Sequence, residues 1–407
     1  MRRVVITGIG AVTPVGNSAA EFAEAIFSGK CGIGPITRFD VSESKCKVAA
    51  EIKEFDPAKR LDKTTIRKTD LYTQYALYAA EEAMEDSGLA GQVDECRFGV
   101  IIGSGVGGIN TMTGEEDALA VGGQRKVSPQ FVPKMIINIA AGQAAIRFHA
   151  HGGCSAVVTA CASGTDAIGE AFRRIRDGYA DAMIAGGAEA AVNPLTVAGF
   201  VNCMALTQSE DPNAASLPFD ARRGGFVLGE GAGILILEEY EHAAARGAKI
   251  YCEIVGYGST CDAYHVTAPS PDPQYVSRAI RDAAEELGVD ADKLYVNAHG
   301  TGTPMNDVGE TAAFKHAFGD DAYKLHISST KSMTGHMLGA AGAVEAIACV
   351  LALQNNTVPP TINLLTPDEK CDLNYTPGTA VHTELQGAVS TSLGFGGHNG
   401  CLALRKL

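Results

Sequence analysis

Three side chains that could perform nucleophilic and electrophilic catalysis lie at similar points of the sequence. Cys161 lies in VVTACASGTDAIGEAF, where a short β-branched run, predicted to be a strand, meets a predicted helix. His299 follows the apolar run LYVNA, and His336 lies in SSTKSMTGHMLGAAG, at another predicted strand-to-helix turn. Unpaired N–H groups and the helix dipole favour a thiolate at a helix N-terminus. The pattern therefore indicates a nucleophilic cysteine assisted by two histidines.

Each of these residues also has a structural interpretation. Cys161 could be a small buried cysteine, and a lone histidine after a strand is more often structural than catalytic. The presence of all three at strand-to-helix turns favours convergence on one pocket. A thiolate can accept an acyl group, and neutral imidazoles can donate to an enolate or thioester oxygen, which suits carbon-carbon bond formation from thioesters. A cysteine protease needs one histidine with an orienting Asn or Asp, and no papain-like or caspase-like pattern surrounds Cys161.

The elements around these residues alternate between strand and helix. RRVVITGIG predicts a strand, and Ser18 with Glu21 resembles a capping box that opens a helix through Phe27. LYTQYALYAAEEAMEDSG predicts a longer helix that ends at Gly88. This alternation predicts an α/β protein in which helices cover a mostly parallel sheet.

A weak internal repeat suggests that two halves share one plan. AAEEAMEDSGLAGQVDECRFGVIIGSG and AIRDAAEELGVDADKLYVNAHGTG both run from an acidic helix through a glycine to a strand and a glycine turn. The cysteine segment has a counterpart in LHISSTKSMTGHMLGAAGAVEAIACVLAL. We place the boundary near Lys249, which gives halves of 1–249 and 250–407. An interface between two packed halves is a favoured place for a ligand site.

The composition excludes several classes of protein. With 407 residues, 46% of them hydrophobic, the chain can bury a sizeable core. Its net charge of −14 repels nucleic acid and anionic membranes, so an acidic partner would need a local basic patch. No window is expected to span a membrane, since even MIINIAAGQAAI is interrupted by Asn138, Gly142 and Gln143. The N-terminus also lacks a sustained apolar signal region, so we expect a cytoplasmic protein.

Cysteine and histidine spacing argues against a metal site. The 11 cysteines are odd in number and scattered, and they include no C-x-x-C pair. This excludes both a disulfide framework and a structural zinc site of the usual spacing. His149 and His151 could hold a metal only weakly, because no neighbouring cysteine or carboxylate supports them. We expect no metal.

One glycine-rich motif could suggest a nucleotide cofactor. GVIIGSGVGG contains G-x-G-x-x-G from Gly103 to Gly108 after a predicted strand. The next segment, INTMTGEED, includes another glycine and is a poor helix former. A second candidate, GIGAVTPVG, has Thr13 at the third glycine position, and no P-loop sequence is present. We therefore expect no nucleotide cofactor.

Four separated motifs resemble those of the β-ketoacyl-acyl carrier protein synthases of fatty acid synthesis, most closely their type II branch. They are TACASGTDAIGEA, NAHGTGTPMND, SSTKSMTGHMLGAAGAVE and SLGFGGHNG. Their order matches, and the likeness runs from the first strand to Leu407. The resemblance implies a thiolase-like fold, internally duplicated in five α-β-α-β-α layers, and a homodimer without a cofactor.

The resemblance also implies roles for individual residues. Cys161 would be the acyl-accepting nucleophile, and His299 and His336 would promote decarboxylation of a malonyl thioester and stabilise the enolate. Lys331 and Glu345 would hold the histidine pair in place. The other implied roles are an oxyanion hole from the N–H groups of Cys161 and Phe395, a mobile gate at Phe395, pantetheine contacts at Thr301 and Thr303, and an acyl-pocket position at Val106.

An acyl carrier protein is strongly acidic, so the resemblance implies a basic docking surface. The positions that match the family's docking regions are Lys63, Arg67, Lys68, Arg125 and Lys126. Clusters of this kind are also common as plain solvated surface. Leu393 and His398 depart from the phenylalanine and threonine found in many and some relatives, respectively, which leaves the packing of the gate and the role of His398 open.

The leading hypothesis is an elongating enzyme that condenses acyl and malonyl carrier thioesters through an acyl-Cys161 intermediate. A thiolase would need a second active-site cysteine in a C-terminal glycine-rich loop, whereas Cys401 is expected in the final strand. A polyketide ketosynthase would use the same residues. A non-catalytic chain-length subunit that binds carrier protein would have lost the nucleophile, so the presence of Cys161 disfavours it.

Overall fold

The structure, a computed structural model, describes residues 1–407. The strands are β1 (Val4–Val12), β2 (Gly34–Pro35), β3 (Val48–Ala49), β4 (Phe98–Gly103), β5 (Cys154–Ser155), β6 (Ala182–Glu189), β7 (Gly231–Glu239), β8 (Cys252–Cys261), β9 (Leu294–Asn297), β10 (His326–Ser328), β11 (Thr357–Val358), β12 (Val381–His382), β13 (Gly387–Gly394) and β14 (His398–Arg405). The α-helices are α1 (Ala19–Ser28), α2 (Lys63–Lys68), α3 (Leu71–Ser87), α4 (Ile109–Gly122), α5 (Phe131–Met135), α6 (Ile139–Phe148), α7 (Ser163–Arg176), α8 (Pro194–Asn202), α9 (Tyr240–Ala245), α10 (Gln274–Ala284), α11 (Pro304–Phe318), α12 (Lys331–Thr334) and α13 (Ala341–Asn355).

Ten strands are hydrogen-bonded in an order that shows an internal duplication. The order is β10-β9-β13-β14-β8-β1-β7-β6-β4-β5. In the first half, β7 lies antiparallel between β1 and β6, and β4 lies parallel between β6 and β5. In the second half, β14 lies antiparallel between β8 and β13, and β9 lies parallel between β13 and β10. The two halves therefore repeat one topology, as the sequence repeat predicts, and they join where β1 pairs with β8. The prediction of a mostly parallel sheet is wrong, because only the pairs β4–β5, β4–β6, β9–β10 and β9–β13 are parallel.

The helices complete the five layers expected of a thiolase-like fold. α7 and α13 pack on each other in the central layer and contact strands of both halves. α3 and α6 cover the outer face of the first half, while α10 covers β8 and β14 and packs on α11. The largest apolar cluster surrounds the central layer, and two further clusters fill the outer faces. The core is thus shared between the halves.

Small residues let the central helices approach closely. A Cβ atom added at Gly164 of α7 would lie 2.8 Å from the carbonyl oxygen of Gly339 and 2.9 Å from the backbone nitrogen of Ala343. Both distances are shorter than van der Waals contact, so only glycine fits at position 164. The alanines and glycines of AGAVEAIACV therefore serve packing in the layer that carries the catalytic residues.

The central layer also corrects the expectation that no window has the length and composition of a membrane span. Leu338–Asn355 is long and apolar enough by that measure, with a mean hydropathy of 1.5, but 89% of it is buried inside the protein. The segment is hydrophobic on all sides because α13 is surrounded by protein.

Local sequence signals place the first helices correctly. Ser18 caps α1 by accepting a hydrogen bond from the backbone N–H of Glu21. Glu21 accepts in return from the N–H of Asn17 rather than of Ser18, so the capping box is shifted by one residue. α3 ends at Gly88, which adopts a left-handed conformation with φ 59°.

Two sequence predictions near the site are wrong, one about the length of a strand and one about the formation of a helix. The strand before the nucleophile covers only Cys154–Ser155, because the chain leaves the edge of the sheet before Val158. The segment after G-x-G-x-x-G does form a helix, α4, despite its internal Gly114. The proposed boundary near Lys249 lies between α9 and β8 and stays a prediction.

Candidate active site

A cavity of about 380 Å³ lies where the two halves meet. The first half contributes Cys161, and the second half contributes His299 and His336. The cavity also reaches Phe395 and Gly394 in the turn between β13 and β14. The residues predicted from separate motifs therefore share one cavity.

A constrained turn presents Cys161 to this cavity. The thiol lies in a single 3-10 turn, Ala160–Ala162, that leads directly into α7. Ala160 has a left-handed backbone with φ 51°, which is unfavourable for a residue with a Cβ atom. Side chains on α7 hold the turn: Ser163 Oγ accepts from Thr159 N at 2.9 Å, and Asp166 accepts from Thr159 Oγ1 at 2.6 Å. The strain is thus maintained by the start of the helix.

Cys161 is protonated near pH 7, contrary to the thiolate predicted from its position at a helix N-terminus. Burial raises the pKa of Cys161 to about 12, although the positive charge of Lys331 and a hydrogen bond from Phe395 N–H act in the opposite direction. Burial disfavours the charged form, and here it outweighs the neighbouring positive groups. Nucleophilic attack by this sulfur would therefore require removal of the thiol proton.

His299 and His336 form an edge-to-face pair with ring centroids 5.3 Å apart and an interplanar angle of 88°. Burial, followed by the charge of Lys331, lowers the pKa of both imidazoles well below the usual range. Both rings are therefore neutral near pH 7. Their Nδ1 atoms are buried without hydrogen-bond partners, which leaves Nε2 as the nitrogen that can meet a ligand. An unpartnered N–H is the costlier alternative, so we assign the proton to Nε2.

Lys331 and Glu345 form a buried ion pair beside the histidines. Lys331 Nζ donates to Glu345 Oε1, and both side chains are at most 2% exposed. Burial raises the pKa of Glu345, while the charge of Lys331 opposes that shift. Neither residue lines the cavity. They act on the site through charge and packing.

The end of β13 and the turn after it lie close to the backbone of Cys161. The backbone N–H of Phe395 is among the influences that lower the pKa of the Cys161 thiol. A Cβ atom at Gly394 would lie 3.2 Å from the backbone nitrogen of Cys161 and 2.6 Å from the carbonyl oxygen of Thr159. Glycine at 394 therefore keeps the N–H of Cys161 accessible. The flanking Gly396 and Gly397 have φ values of 91° and 79°, which favour glycine.

Only some of the other predicted site residues line the cavity. Thr301 and Thr303 line the cavity and hydrogen-bond to each other at 3.1 Å. Val106 does not line it: the side chain is 38% exposed, and its proposed contact with an acyl chain stays a prediction. Leu393 lines the cavity, whereas His398 begins β14 and does not.

The predicted docking residues are all exposed, on α2 (Lys63, Arg67, Lys68) and on the turn after α4 (Arg125, Lys126).

Two carboxylates that support the His299 turn were missed from the sequence. Glu310 on α11 accepts from the N–H groups of His299 and Gly300 at 2.7 and 2.8 Å. Asp307, three residues earlier on the same helix, accepts from Gly302 N–H. Burial raises the pKa of Glu310 to about 7. Their i, i+3 spacing directly after the histidine motif is the signal that could have identified them.

Aromatic neighbours of the site were also missed. The ring of Phe226 packs edge-on against His336 with centroids 5.0 Å apart. Phe200 lies 6.3 Å from Phe395 by the same measure. Both phenylalanines line the cavity and add apolar surface beside His336 and Phe395. They come from a loop and from α8, so no single sequence motif links them to the site.

The G-x-G-x-x-G turn is occupied by the protein's own carboxylates. The N–H groups of Gly105 and Val106 donate to Glu189 at 2.7 and 3.2 Å. At the start of α4, the N–H and hydroxyl of Thr111 donate to Asp70 at 2.8 and 2.6 Å. A pyrophosphate would have to displace these buried acids. The segment after the motif does form α4, so the prediction of a poor helix there is wrong.

Comparison with known proteins identifies the family of both halves. Residues 1–243 match the model of the beta-ketoacyl synthase N-terminal domain, and residues 251–365 match that of the C-terminal domain. A protein of Synechocystis sp. named 3-oxoacyl-[acyl-carrier-protein] synthase 2 is 49% identical over 408 residues, covering 100% of this chain and 98% of its own.

Solved structures show the same architecture over the whole chain. The ishigamide ketosynthase/chain length factor matches with a TM-score of 0.93 and 35% identity, covering 100% of this chain and 99% of its own. A type II polyketide ketosynthase, AntDE, solved in complex with its acyl-carrier protein AntF, matches with a TM-score of 0.90 and 36% identity over the same shares. The duplicated fold is therefore shared with solved ketosynthases.

Proposed function

Because the chain belongs to the beta-ketoacyl synthase family, we propose that it elongates fatty acyl chains on acyl carrier protein. The reaction joins acyl-carrier and malonyl-carrier thioesters to give a 3-oxoacyl-carrier thioester, CO2 and free carrier protein. The observation that carries this proposal is the common cavity of Cys161, His299 and His336.

The first half-reaction transfers an acyl group to Cys161. The sulfur attacks the thioester carbonyl, and the N–H groups of Cys161 and Phe395 bind the oxyanion that develops. The tetrahedral intermediate collapses with cleavage of the bond to pantetheine sulfur. The proton of the Cys161 thiol is transferred to that leaving sulfur, so free carrier thiol departs and acyl-Cys161 remains.

The second half-reaction uses the two imidazoles as hydrogen-bond donors. A malonyl thioester loses CO2, and its thioester oxygen gains enolate charge that Nε2–H of His299 and His336 can stabilise. The carbanion carbon attacks the acyl-Cys161 carbonyl. Collapse then expels the Cys161 sulfur, which takes a proton from solvent, and releases the 3-oxoacyl product. Neutral imidazoles suit this role because a donated N–H, without proton transfer, is sufficient.

Positioning and binding roles follow from placement around the cavity. The buried ion pair of Lys331 and Glu345 sets the charge next to the imidazoles and keeps them in position. Thr301 and Thr303 line the cavity, where their hydroxyls can hydrogen-bond to a pantetheine arm. Phe395, flanked by glycines, acts as a gate between the two half-reactions.

The acidic carrier protein is the partner that this chemistry requires. The solved AntDE ketosynthase is bound to an acyl-carrier protein, which supports the same class of partner here. We assign docking to the exposed basic residues of α2 and the turn after α4. We also propose that the chain assembles as a homodimer, as the resemblance to the family implies. Eleven free cysteines support a reducing compartment, the cytoplasm.

The decisive experiment supplies acyl-carrier thioesters of increasing chain length together with malonyl-carrier thioester. We expect an acyl adduct on Cys161 by mass spectrometry and 3-oxoacyl products extended by two carbons. Cys161→Ala should form no adduct and no product. Cys203→Ala removes an exposed thiol from the mouth of the same cavity and should retain both, which makes it a matched control.

The same assay tests the other functions. Repeated extension without reduction between cycles would indicate a polyketide ketosynthase. Carrier binding without an acyl adduct would indicate a non-catalytic chain-length subunit and would overturn the proposal. Lys63→Glu/Arg67→Glu should raise KM for carrier thioesters without changing KM for a pantetheine thioester, since only the protein part of the substrate meets these residues.

A further inference from the structure

Glu189 is a fully buried carboxylate that the proposed reaction does not use. It is 0% exposed. Oε1 accepts from Ser104 Oγ at 3.0 Å and from Val106 N at 3.2 Å, while Oε2 accepts from Gly105 N at 2.7 Å and Gly339 N at 3.0 Å. Three of these four neighbours are N–H groups, which can only donate. These N–H groups favour the ionised form of the side chain, whereas burial raises its pKa.

The internal duplication identifies the counterpart of Glu189 in the other half. β6 and β13 are both eight residues long and occupy the same place in the repeated strand order. Both begin opposite the first residue of their parallel neighbour, β4 or β9. Their last residues, Glu189 and Gly394, therefore correspond.

The same comparison makes Gly339 the counterpart of Cys161. Each is the central residue of a three-residue 3-10 turn, and each turn leads into a central helix, α7 or α13. The preceding residues, Ala160 and Leu338, have left-handed φ values of 51° and 47°. Two non-glycine residues with the same rare conformation at the same place indicate one conserved backbone shape within the duplication.

The two 3-10 turns differ in what contacts the N–H group of their central residue, Cys161 or Gly339. In the copy that contains Cys161, Gly394 has no side chain, and the N–H stays open to a thioester oxygen. In the other copy, the Glu189 carboxylate lies on the N–H of Gly339. The position that can bind a transient oxyanion in one half thus holds a permanent anion in the other.

We propose that Glu189 fills the duplicate of the oxyanion hole and acts as a positioning residue for His336. The inference rests on the proposed function, which assigns the hole and the histidine. His336 precedes Gly339 by three residues, with the left-handed Leu338 between them. Glu189 ties this segment to the turn after β4, so it fixes the backbone that presents the imidazole.

The charge of Glu189 also acts on the nucleophile. Its negative charge is among the influences that raise the pKa of the Cys161 thiol. Removal of the charge should therefore lower that pKa and increase the thiolate fraction at any pH below it. A residue with a purely structural role would not produce this effect.

The test compares Glu189→Gln with Glu82→Gln. Glu82 is a half-buried carboxylate that likewise accepts from backbone N–H groups, those of Ala11 and Ala19, but it does not line the cavity. For Glu189→Gln we expect kcat for malonyl decarboxylation to fall about tenfold with KM within about twofold. We expect iodoacetamide to alkylate Cys161 about threefold faster at pH 8. Glu82→Gln should change neither quantity.

Glu189→Asp separates position from charge. The shorter side chain keeps the charge but cannot reach all four donors, so decarboxylation should fall while the alkylation rate stays at the wild-type value. The proposal is overturned if Glu189→Gln and Glu82→Gln behave alike, or if neither Glu189 variant folds while Glu82→Gln does. Failure of the proposed function would be distinct, because the wild-type protein would then form no acyl-Cys161.

Discussion

The two strand-to-helix joints at the cavity share one backbone plan but differ in length. Ser155 and Ser328 occupy equivalent register positions beside β4 and β9. From Ser155 the chain reaches the left-handed Ala160 in five residues, whereas from Ser328 it reaches Leu338 in ten. The longer joint contains α12, with Lys331 at its start, and then His336.

The difference shows how a duplicated scaffold acquires two kinds of chemistry. The shorter joint presents a thiol at its 3-10 turn, and the longer joint has glycine at that position and uses its extra residues to supply a cation and an imidazole. The backbone frame comes from the repeat, while reactivity comes from one substituted side chain and one longer loop.

The largest effect should come from removing the imidazole of the longer joint. His336→Ala should slow decarboxylation of malonyl thioester about a hundredfold or more, because one oxyanion donor contributes about 3 kcal/mol. His299→Ala should have a similar effect. Release of CO2 measures this step, and His382→Ala, which alters an exposed histidine on β12, is the control. Wild-type decarboxylation by His336→Ala would remove that joint from the chemistry.

A smaller effect should follow from adding a side chain at Gly394, the counterpart of Glu189, so that the oxyanion hole at Cys161 is partly filled. Gly394→Ala adds a methyl group 3.2 Å from Cys161 N and 2.6 Å from Thr159 O, so the turn must shift. We expect acyl transfer to Cys161 to slow about tenfold or more, since the oxyanion loses one aligned donor. Gly309→Ala on α11, where an added methyl meets nothing within 4 Å, should leave the rate unchanged. Equal rates for both variants would contradict an oxyanion role for this turn.

The smallest effect concerns the charge that the longer joint places near the thiol. Burial raises the pKa of Cys161 to about 12, so alkylation of the wild-type thiol should increase about tenfold per pH unit from pH 7 to 9.

Lys331→Met/Glu345→Gln removes both charges of the pair without leaving one uncompensated. Lys331 has the stronger influence on the thiol, so its loss should raise the pKa and slow alkylation about threefold at each pH. Faster alkylation would mean that the Glu345 charge dominates.

Sequence patterns predicted the parts of the fold that depend on local signals. β1, α3 and the glycine that ends α3 follow from apolar runs and helix-stop residues. The joints of Cys161 and His336 were recognisable because strand, small-residue turn and helix occur in order. β5 was overextended because Val157 and Val158 have strand propensity, while the chain has already left the sheet edge.

The buried carboxylate of Glu189 depends on distant contacts and left little trace in the sequence. Glu189 is recognisable only when Gly105 and Gly339 meet it from opposite halves. The protonation state of Cys161 is a similar case. The helix N-terminus predicted a thiolate, but enclosure by the second half outweighs that local effect. Burial is a property of the assembled fold and cannot be derived from one segment.

The shared central layer, α7 against α13, constrains how such a protein can be divided. A fragment that stops near Lys249 would leave α7 without its partner and expose an apolar surface that normally never meets water. It would also retain the thiol while losing both imidazoles. Gene fission at this boundary would therefore produce two aggregation-prone polypeptides, each with an incomplete set of reactive groups, which explains in physical terms why both copies must remain together.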